Sequence, residues 1–281
     1  MNIYRSVGET RAACRAARAK GQRIGLVPTM GALHEGHLSL VRTAKSQCDV
    51  VAVSLFVNPT QFGPTEDLAR YPRPFEHDCE LLEKEGVAIL FAPPVDEMYP
   101  KGEGSWVVVE GLSEKLDGRS RPGHFRGVTT VVAKLFHIIE PDAAFFGQKD
   151  AAQCAVIRRM VCDLNFPVEI VVCPIVREQD GLAMSSRNAY LSPEERQQAL
   201  VLQRLLKKVQ ESFRAGEKNA SKLAAAALEV LAQEPHVRLD YFEIADPDTL
   251  DPVERVSQRT LVAVAAYVGT TRLIDNVVLL P

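Results

Sequence analysis

The segment LVPTMGALHEGHLSLVRTA, Leu26 to Ala44, sets two histidines three residues apart, His34 and His37, where an apolar run ends in a glycine-containing turn and an amphipathic run begins. That pattern predicts a strand delivering the chain to a helix N-terminus. The first turn of a helix has unpartnered N–H groups and carries the positive end of the helix dipole, so an anion placed there is stabilised. Gly31 and Gly36 would let a phosphate approach the backbone closely, and two imidazoles could donate hydrogen bonds to phosphate oxygens or to a departing pyrophosphate. Two other readings stand beside this one. The zinc motif H-E-x-x-H spaces its histidines four apart inside a helix, which His34 and His37 do not match. An isolated H-x-x-H pair is also compatible with ordinary surface or capping side chains.

Three further segments put polar groups where the same chemistry would need them. In FFGQKDAAQC, residues 145 to 154, an apolar run ends at Gly147, and Lys149 and Asp150 open the next amphipathic stretch. Ligands of open α/β sheets sit beyond the carboxyl ends of the strands, so both turns are expected to face one crevice. Lys149 would supply a point charge, and Gln153 both a donor and an acceptor. Taken alone, Lys149 and Asp150 equally describe an exposed helix start. In MSSRNAY, residues 184 to 190, Arg187 offers bidentate recognition of phosphate beside the hydroxyls of Ser185 and Ser186, on a loop able to close over a nucleotide; a helix cap would look the same. In SLFVNPTQFGP, residues 54 to 64, Asn58 and Gln61 are neutral amides suited to hydroxyls and carboxylates, although Asn58-Pro59 also reads simply as a turn.

TMGALHEGH, SLFVNPTQF, FFGQKD and GLAMSSRN, in this order and at these separations, resemble the pantothenate synthetase family, ATP-dependent ligases that join pantoate to β-alanine. The resemblance covers nearly all of the N-terminal two-thirds, and the remaining third agrees in length and pattern. The H-x-G-H turn alone is similar to the wider nucleotidyltransferase superfamily, which includes class I aminoacyl-tRNA synthetases. The resemblance implies an ATP site of Met30, Gly31, Ala32, Leu33, His34, Glu35, Gly36 and His37, completed by Gly147, Gln148, Lys149, Asp150, Val176, Met184, Ser185, Ser186 and Arg187. It implies that His34, His37, Lys149 and Arg187 carry the catalysis, with His37 the usual proton donor. Gln61, Gln153 and Asn58 would hold pantoate and β-alanine, and Pro28, Met30, Phe56, Val131 and Val132 would wall the geminal methyls.

The implied reaction forms pantoyl adenylate from ATP and pantoate, releases pyrophosphate, and ends when the amine of β-alanine displaces AMP. Mg2+ would accompany ATP, and since the family is usually dimeric the resemblance implies a homodimer. Two departures from the family pattern stand out. Gln148 and Ala151 replace the glutamate and the aromatic residue of G-E-K-D-aromatic, and His77-Asp78 stands where an acidic pair implicated in metal binding is usual, which argues against a second, protein-held metal. A simple adenylyltransferase with a phosphorylated acceptor would want Arg or Lys where Gln61 and Gln153 stand. A non-catalytic nucleotide sensor would not require the full set of His34, His37, Lys149 and Arg187.

The elements that must position these residues follow from the alternation of short apolar runs with amphipathic ones, which predicts parallel strands joined by crossover helices. Strands are expected at Arg23 to Pro28, Val50 to Val57, Val87 to Ala92, Ala143 to Gly147 and Val168 to Val176. Helices are expected at His37 to Gln47, Pro74 to Glu85, Phe125 to Ile139 and Lys149 to Leu164, with one more near the N-terminus. After Val176 the pattern changes to helices at Pro193 to Ala215 and Ala220 to Gln233 and strands at Val237 to Ala245, Thr260 to Val268 and Arg272 to Leu280. The fold class expected is therefore α/β, a Rossmann-like catalytic domain over residues 1–176 followed by a smaller α+β lid domain with a three-stranded antiparallel sheet over 177–281.

A chain of 281 residues with 46% hydrophobic and 25% charged residues can bury a substantial core. No apolar run approaches the roughly 20 residues that span a bilayer, and the N-terminus lacks the pattern of a secretory signal, so a cytoplasmic protein is expected. A net charge of −3 gives no general attraction to nucleic acid or acidic membranes, so any anion must be held by a local constellation. Six cysteines without metal-binding spacing read as reduced thiols.

Overall fold

The structure is a computed structural model describing residues 1–64 and 66–281. Six strands, β1 (Asn2–Tyr4), β2 (Ile24–Thr29), β3 (Val50–Leu55), β4 (Ile89–Phe91), β5 (Ala143–Gly147) and β6 (Glu169–Cys173), form a parallel sheet in the order β1-β4-β3-β2-β5-β6. Three more, β7 (Val237–Ala245), β8 (Thr260–Val268) and β9 (Thr271–Leu279), form an antiparallel sheet in chain order. The helices are α1 (Val7–Arg18), α2 (Glu35–Gln47), α3 (Phe75–Lys84), α4 (Val95–Met98), α5 (Asp117–Ser120), α6 (His124–Ile139), α7 (Ala151–Asp163), α8 (Pro193–Ala199), α9 (Val201–Arg214) and α10 (Ala220–Leu231). The expected fold class is what is found: a Rossmann-like parallel sheet with a smaller antiparallel one after it.

Successive residues of β2 and β3 enter different cores, which explains why these strands are apolar almost throughout. Ile24, Leu26, Val50 and Ala52 pack with α1, α6 and α7, whereas Val27, Val51 and Val53 pack with α2 and α3. Strand β8 repeats the pattern in the small sheet. Leu261, Ala263 and Ala265 join the first of these cores, while Val262, Val264 and Ala266 pack against α9 and α10. From β2 the chain adds β3 and β4 on one side, then crosses back to add β5 and β6 on the other. The strand order therefore reverses between β2 and β5, and their carboxyl ends open on the crevice where such sheets bind ligands.

The boundaries differ from expectation where local chemistry overrides pattern. Strand β1 is three residues long, too short to show a period, and pairs with β4 at the sheet edge. Helix α2 begins at Glu35, two residues early, because His34 caps it. Strand β6 ends at Cys173, just before Pro174, which has no N–H to continue a ladder. The single helix expected from Pro193 is divided into α8 and α9 at Leu200. Among the described residues no helix is long and apolar enough to cross a membrane.

Candidate active site

The turn after β2 is held in an unusual backbone shape by a carboxylate from another element. Gly31 and Ala32 both have positive φ, 85° and 50°, a region that disfavours a side chain. At Gly31 a Cβ would lie 3.0 Å from Asp78 Oδ2, so glycine is needed for the close approach as well. Asp78, fully buried on α3, accepts from Ala32 N at 2.9 Å and from Leu33 N at 2.8 Å. Burial raises the pKa of its carboxyl, and the two backbone donors pull it back down. Those bonds compensate a buried charge and fix the path of the turn in one device.

Two imidazoles then take the places that serine and glutamate usually hold in a capping box. Gly36 N donates to His34 Nδ1 at 3.2 Å, and His34 N donates to His37 Nδ1 at 3.4 Å. Because each Nδ1 accepts, each neutral ring carries its proton on Nε2. The rings lie 4.1 Å apart between centroids and both line the cleft. Desolvation, and after it the charge of Lys149, lowers the pKa of His34 to about 4. Desolvation, then His34 and Lys149, lowers that of His37 to about 3. At neutral pH the unliganded cleft thus presents two neutral N–H donors.

The second turn, after β5, carries Gln148 to Asp150 as one 3-10 turn leading directly into α7. Gly147, Lys149 and Asp150 line the cleft there, with Gln153 from the first turn of α7 beside them. The side chain of Cys154 is fully buried on this helix; desolvation pushes its thiol pKa up to about 12, which leaves it a packing group rather than a reactive one.

Gln61 is set by a third group of contacts. Its side-chain Oε1 accepts from Asn58 Nδ2 at 2.9 Å, and among the described residues its Nε2 meets only the weak acceptor Met30 Sδ at 3.2 Å, which leaves a donor available to a ligand. Its backbone carbonyl accepts from His124 Nδ1 at 2.8 Å and from Arg121 Nη2 at 3.3 Å. Desolvation, aided by Arg121, lowers the pKa of His124 to about 4, in keeping with a neutral ring whose Nε2 accepts from Arg121. Asn58 is buried and uses its amide inside the protein, donating also to Gly127 O and accepting from Tyr99 Oη at 2.7 Å. Its contribution to the cleft runs through Gln61. The loop docks on α6 at Gly127, where a Cβ would stand 2.4 Å from Thr60 O.

The loop of residues 184 to 187 also lines the cleft. Arg187 makes a bidentate pair with Asp67, Nε to Oδ2 and Nη2 to Oδ1 both at 2.8 Å, and Ser186 Oγ lies 3.3 Å from Tyr71 Oη. The guanidinium expected to meet phosphate is therefore held by a carboxylate of the protein.

The structure brings most of the expected residues to one cleft with about 230 Å³ of interior space. Met30, His34, Gly36, His37, Asn58, Gln61, Gly147, Lys149, Asp150, Gln153, Val176, Met184, Ser185, Ser186 and Arg187 line it. So do the apolar Pro28, Phe56, Val131 and Val132. Gly31, Ala32, Leu33, Glu35 and Gln148 do not: Leu33 is buried in the core, Glu35 pairs with Arg42, and Gln148 bonds Asn276. Tyr71, Arg121 and His124 also line the cleft without having been picked out by any sequence pattern, since their partners are far away along the chain. Among the described residues no group of three or more His, Cys, Asp or Glu side chains is arranged to hold a metal, and the oxygens of Asp78 are committed to backbone donors.

Comparison with known proteins agrees with this geometry. The family described as pantoate-beta-alanine ligase matches residues 2–278. A pantothenate synthetase of Koribacter versatilis is 62% identical over 279 residues, 99% of this chain and 96% of its own length. One from Moorella thermoacetica is 57% identical over 279 residues, 99% of both. The crystal structure of the Thermus thermophilus pantothenate synthetase superposes with a TM-score of 0.94 at 48% identity, covering 99% of each chain. That of the Francisella tularensis pantoate-beta-alanine ligase, complexed with beta-gamma ATP and beta-alanine, gives a TM-score of 0.76 at 35% identity, over 99% of this chain and 97% of the other. With a cleft built from two strand-end turns at the sheet's reversal point and relatives this similar along its whole length, the chain belongs to the pantoate-β-alanine ligase family.

Proposed function

We propose that the cleft performs the ATP-dependent condensation of pantoate with β-alanine in two half-reactions through pantoyl adenylate. The observation that carries this reading is the mixed lining of the cleft. Neutral imidazole donors and Lys149 line it together with the apolar side chains of Pro28, Met30, Phe56, Val131 and Val132 and the amides of Gln61 and Gln153. A polyanion and a small acid that carries hydroxyls on a branched apolar body suit that combination.

In the first half-reaction a carboxylate oxygen of pantoate attacks the α-phosphorus of ATP in line, forming the acyl phosphate bond as the bond to pyrophosphate breaks. The Nε2 donors of His34 and His37, with Lys149 and Arg187, stabilise the charge that accumulates on the leaving pyrophosphate. Gln61 and Gln153 hold the acid in position for attack. In the second half-reaction the amine nitrogen of β-alanine attacks the acyl carbon, the amide bond forms, the anhydride bond from the acyl carbon to the AMP oxygen breaks, and the proton shed by the nitrogen passes to the departing AMP phosphate. His37 acts first as a charge stabiliser and second as a proton donor, because its ring is neutral before ATP arrives.

Magnesium would come to this site on ATP, supplying charge neutralisation to the phosphates. The remaining parts of the reading are a boundary between residues 1–176 and 177–281, with the second part serving as a lid, a homodimeric assembly, and a cytoplasmic location with no nucleic-acid or membrane partner. Mass spectrometry of reactions containing ATP, pantoate and β-alanine, each omitted in turn, should detect pantothenate and AMP only when all three are present. No product from the full mixture would overturn the assignment.

A further inference from the structure

Two consecutive residues of β9, Asp275 and Asn276, are polar and almost completely buried, at 3% and 2% exposure. They point to opposite faces of the small sheet. Asn276 pairs with Ala263, whose side chain enters the core shared with the large sheet, and Asp275 pairs with Val264, which faces α9 and α10. Burying a polar group is unfavourable unless hydrogen bonds offset it, so the partners of these two are informative.

Asn276 directs its amide at the turn after β5. Its Nδ2 donates to Gln148 O at 2.9 Å and to Lys149 O at 3.0 Å, and its Oδ1 accepts from Gln148 Nε2 at 3.0 Å. Asp275 accepts from Arg177 Nη1 at 2.7 Å and Nη2 at 2.9 Å. Arg177 Nη1 also donates to Gly181 O, and Met184 N donates to Val176 O, closing the hairpin from which Ser185 to Arg187 emerge. One hydrogen bond joins the two anchors, from Asn276 N to Asp275 Oδ1 at 2.8 Å. Just before them, Arg272, Leu273 and Ile274 line a small polar annex that shares Lys149, Asp150, Gln153 and Arg187 with the main cleft.

We infer that β9 is the positioning strand for the triphosphate end of the cleft: Asn276 fixes the base of Lys149, and Asp275, through Arg177, fixes the root of the loop that carries Arg187. The inference rests on the reading of Lys149 and Arg187 as ATP ligands. A lysine ammonium rides on a flexible four-carbon stem, so its placement depends on the backbone beneath it. Gln148 completes the device, because a carboxylate at that position could not donate to Asn276 Oδ1.

Steady-state and single-turnover kinetics on the full chain test this. Asn276→Ala and Asp275→Asn should each raise the KM for ATP and slow adenylate formation by about tenfold, the scale expected of a misplaced binding group, while the KM for pantoate stays unchanged. Gln148 is only half-buried, so Gln148→Ala keeps the fold secure and should move the same two quantities by about threefold; it decides the matter if Asn276→Ala does not fold. Lys149→Ala is the control. If it raises the KM for ATP while the folded Asn276 and Gln148 variants do not, the positioning role is overturned. An equal rise in the KM for pantoate would overturn it too, by showing general loosening. If Lys149→Ala leaves ATP untouched, the ATP-site reading itself fails instead.

Discussion

At the scale of single residues, the electrostatic state of the histidines governs what they can do. Charging a buried imidazole beside a lysine is unfavourable, so His34 and His37 face the cleft as neutral donors. Replacing His37 by alanine removes one donor aimed at developing charge. The rate of adenylate formation should fall by about a hundredfold, measured by rapid quench with ATP and pantoate alone; a rate equal to that of the unaltered protein would remove His37 from the mechanism. His34, His37, Lys149 and Gln61 stand out in the sequence because each follows the end of a strand, where pattern and chemistry coincide, whereas Arg187 stands out as an arginine beside two serines in the loop after Val176. Asp78 was legible only as a doubtful metal ligand. Its partners are backbone N–H groups 45 and 46 positions away, and no side-chain spacing records such a bond. His124 and Arg121 escaped notice for the same reason, being tied to the carbonyl of Gln61 across the fold.

At the scale of elements, the long strands and crossover helices could be read directly, since two-sided burial leaves uninterrupted apolar runs. The start of α2 could not, because histidine is not among the usual capping residues and the reciprocal bonds between His34 and His37 appear only in three dimensions. The docking of the Gln61 loop on α6 was hidden likewise. It depends on the missing side chain of Gly127, and the sequence HFRGVTT gives no sign that a backbone carbonyl approaches there. Gly127→Ala would force Thr60 and with it Gln61 to move. Since an error of about 1 Å can cost about a hundredfold, the KM for pantoate should rise by about ten- to a hundredfold with little change in that for ATP. Initial-rate kinetics with each substrate varied will separate the two; parallel changes in both would contradict the docking of this loop on α6.

At the scale of the whole molecule, acid is the condition to which this fold is exposed. His34, His37 and His124 have folded pKa values of about 4, 3 and 4, below the ordinary 6.5. The unfolded chain therefore binds protons that the folded chain does not, and stability is complete above pH 6.5 and declines as the pH falls towards 4. The thermal midpoint should drop between about pH 7.5 and about pH 5, and His124→Asn should make that drop shallower; equal midpoints at the two values would refute the linkage. The bridge between Asp67 and Arg187 bears on turnover as a whole. The guanidinium has an anionic partner in the protein, so if it meets phosphate as proposed, phosphate would enter by exchange with Asp67. The same exchange would run backwards as pyrophosphate departs, so affinity would be given up for ease of release. Asp67→Asn should accordingly tighten product inhibition by pyrophosphate, by about threefold to tenfold, while slowing its dissociation. On the proposed reading, a cleft that must expel a highly charged product on every cycle carries its own competitor, the tethered carboxylate of Asp67.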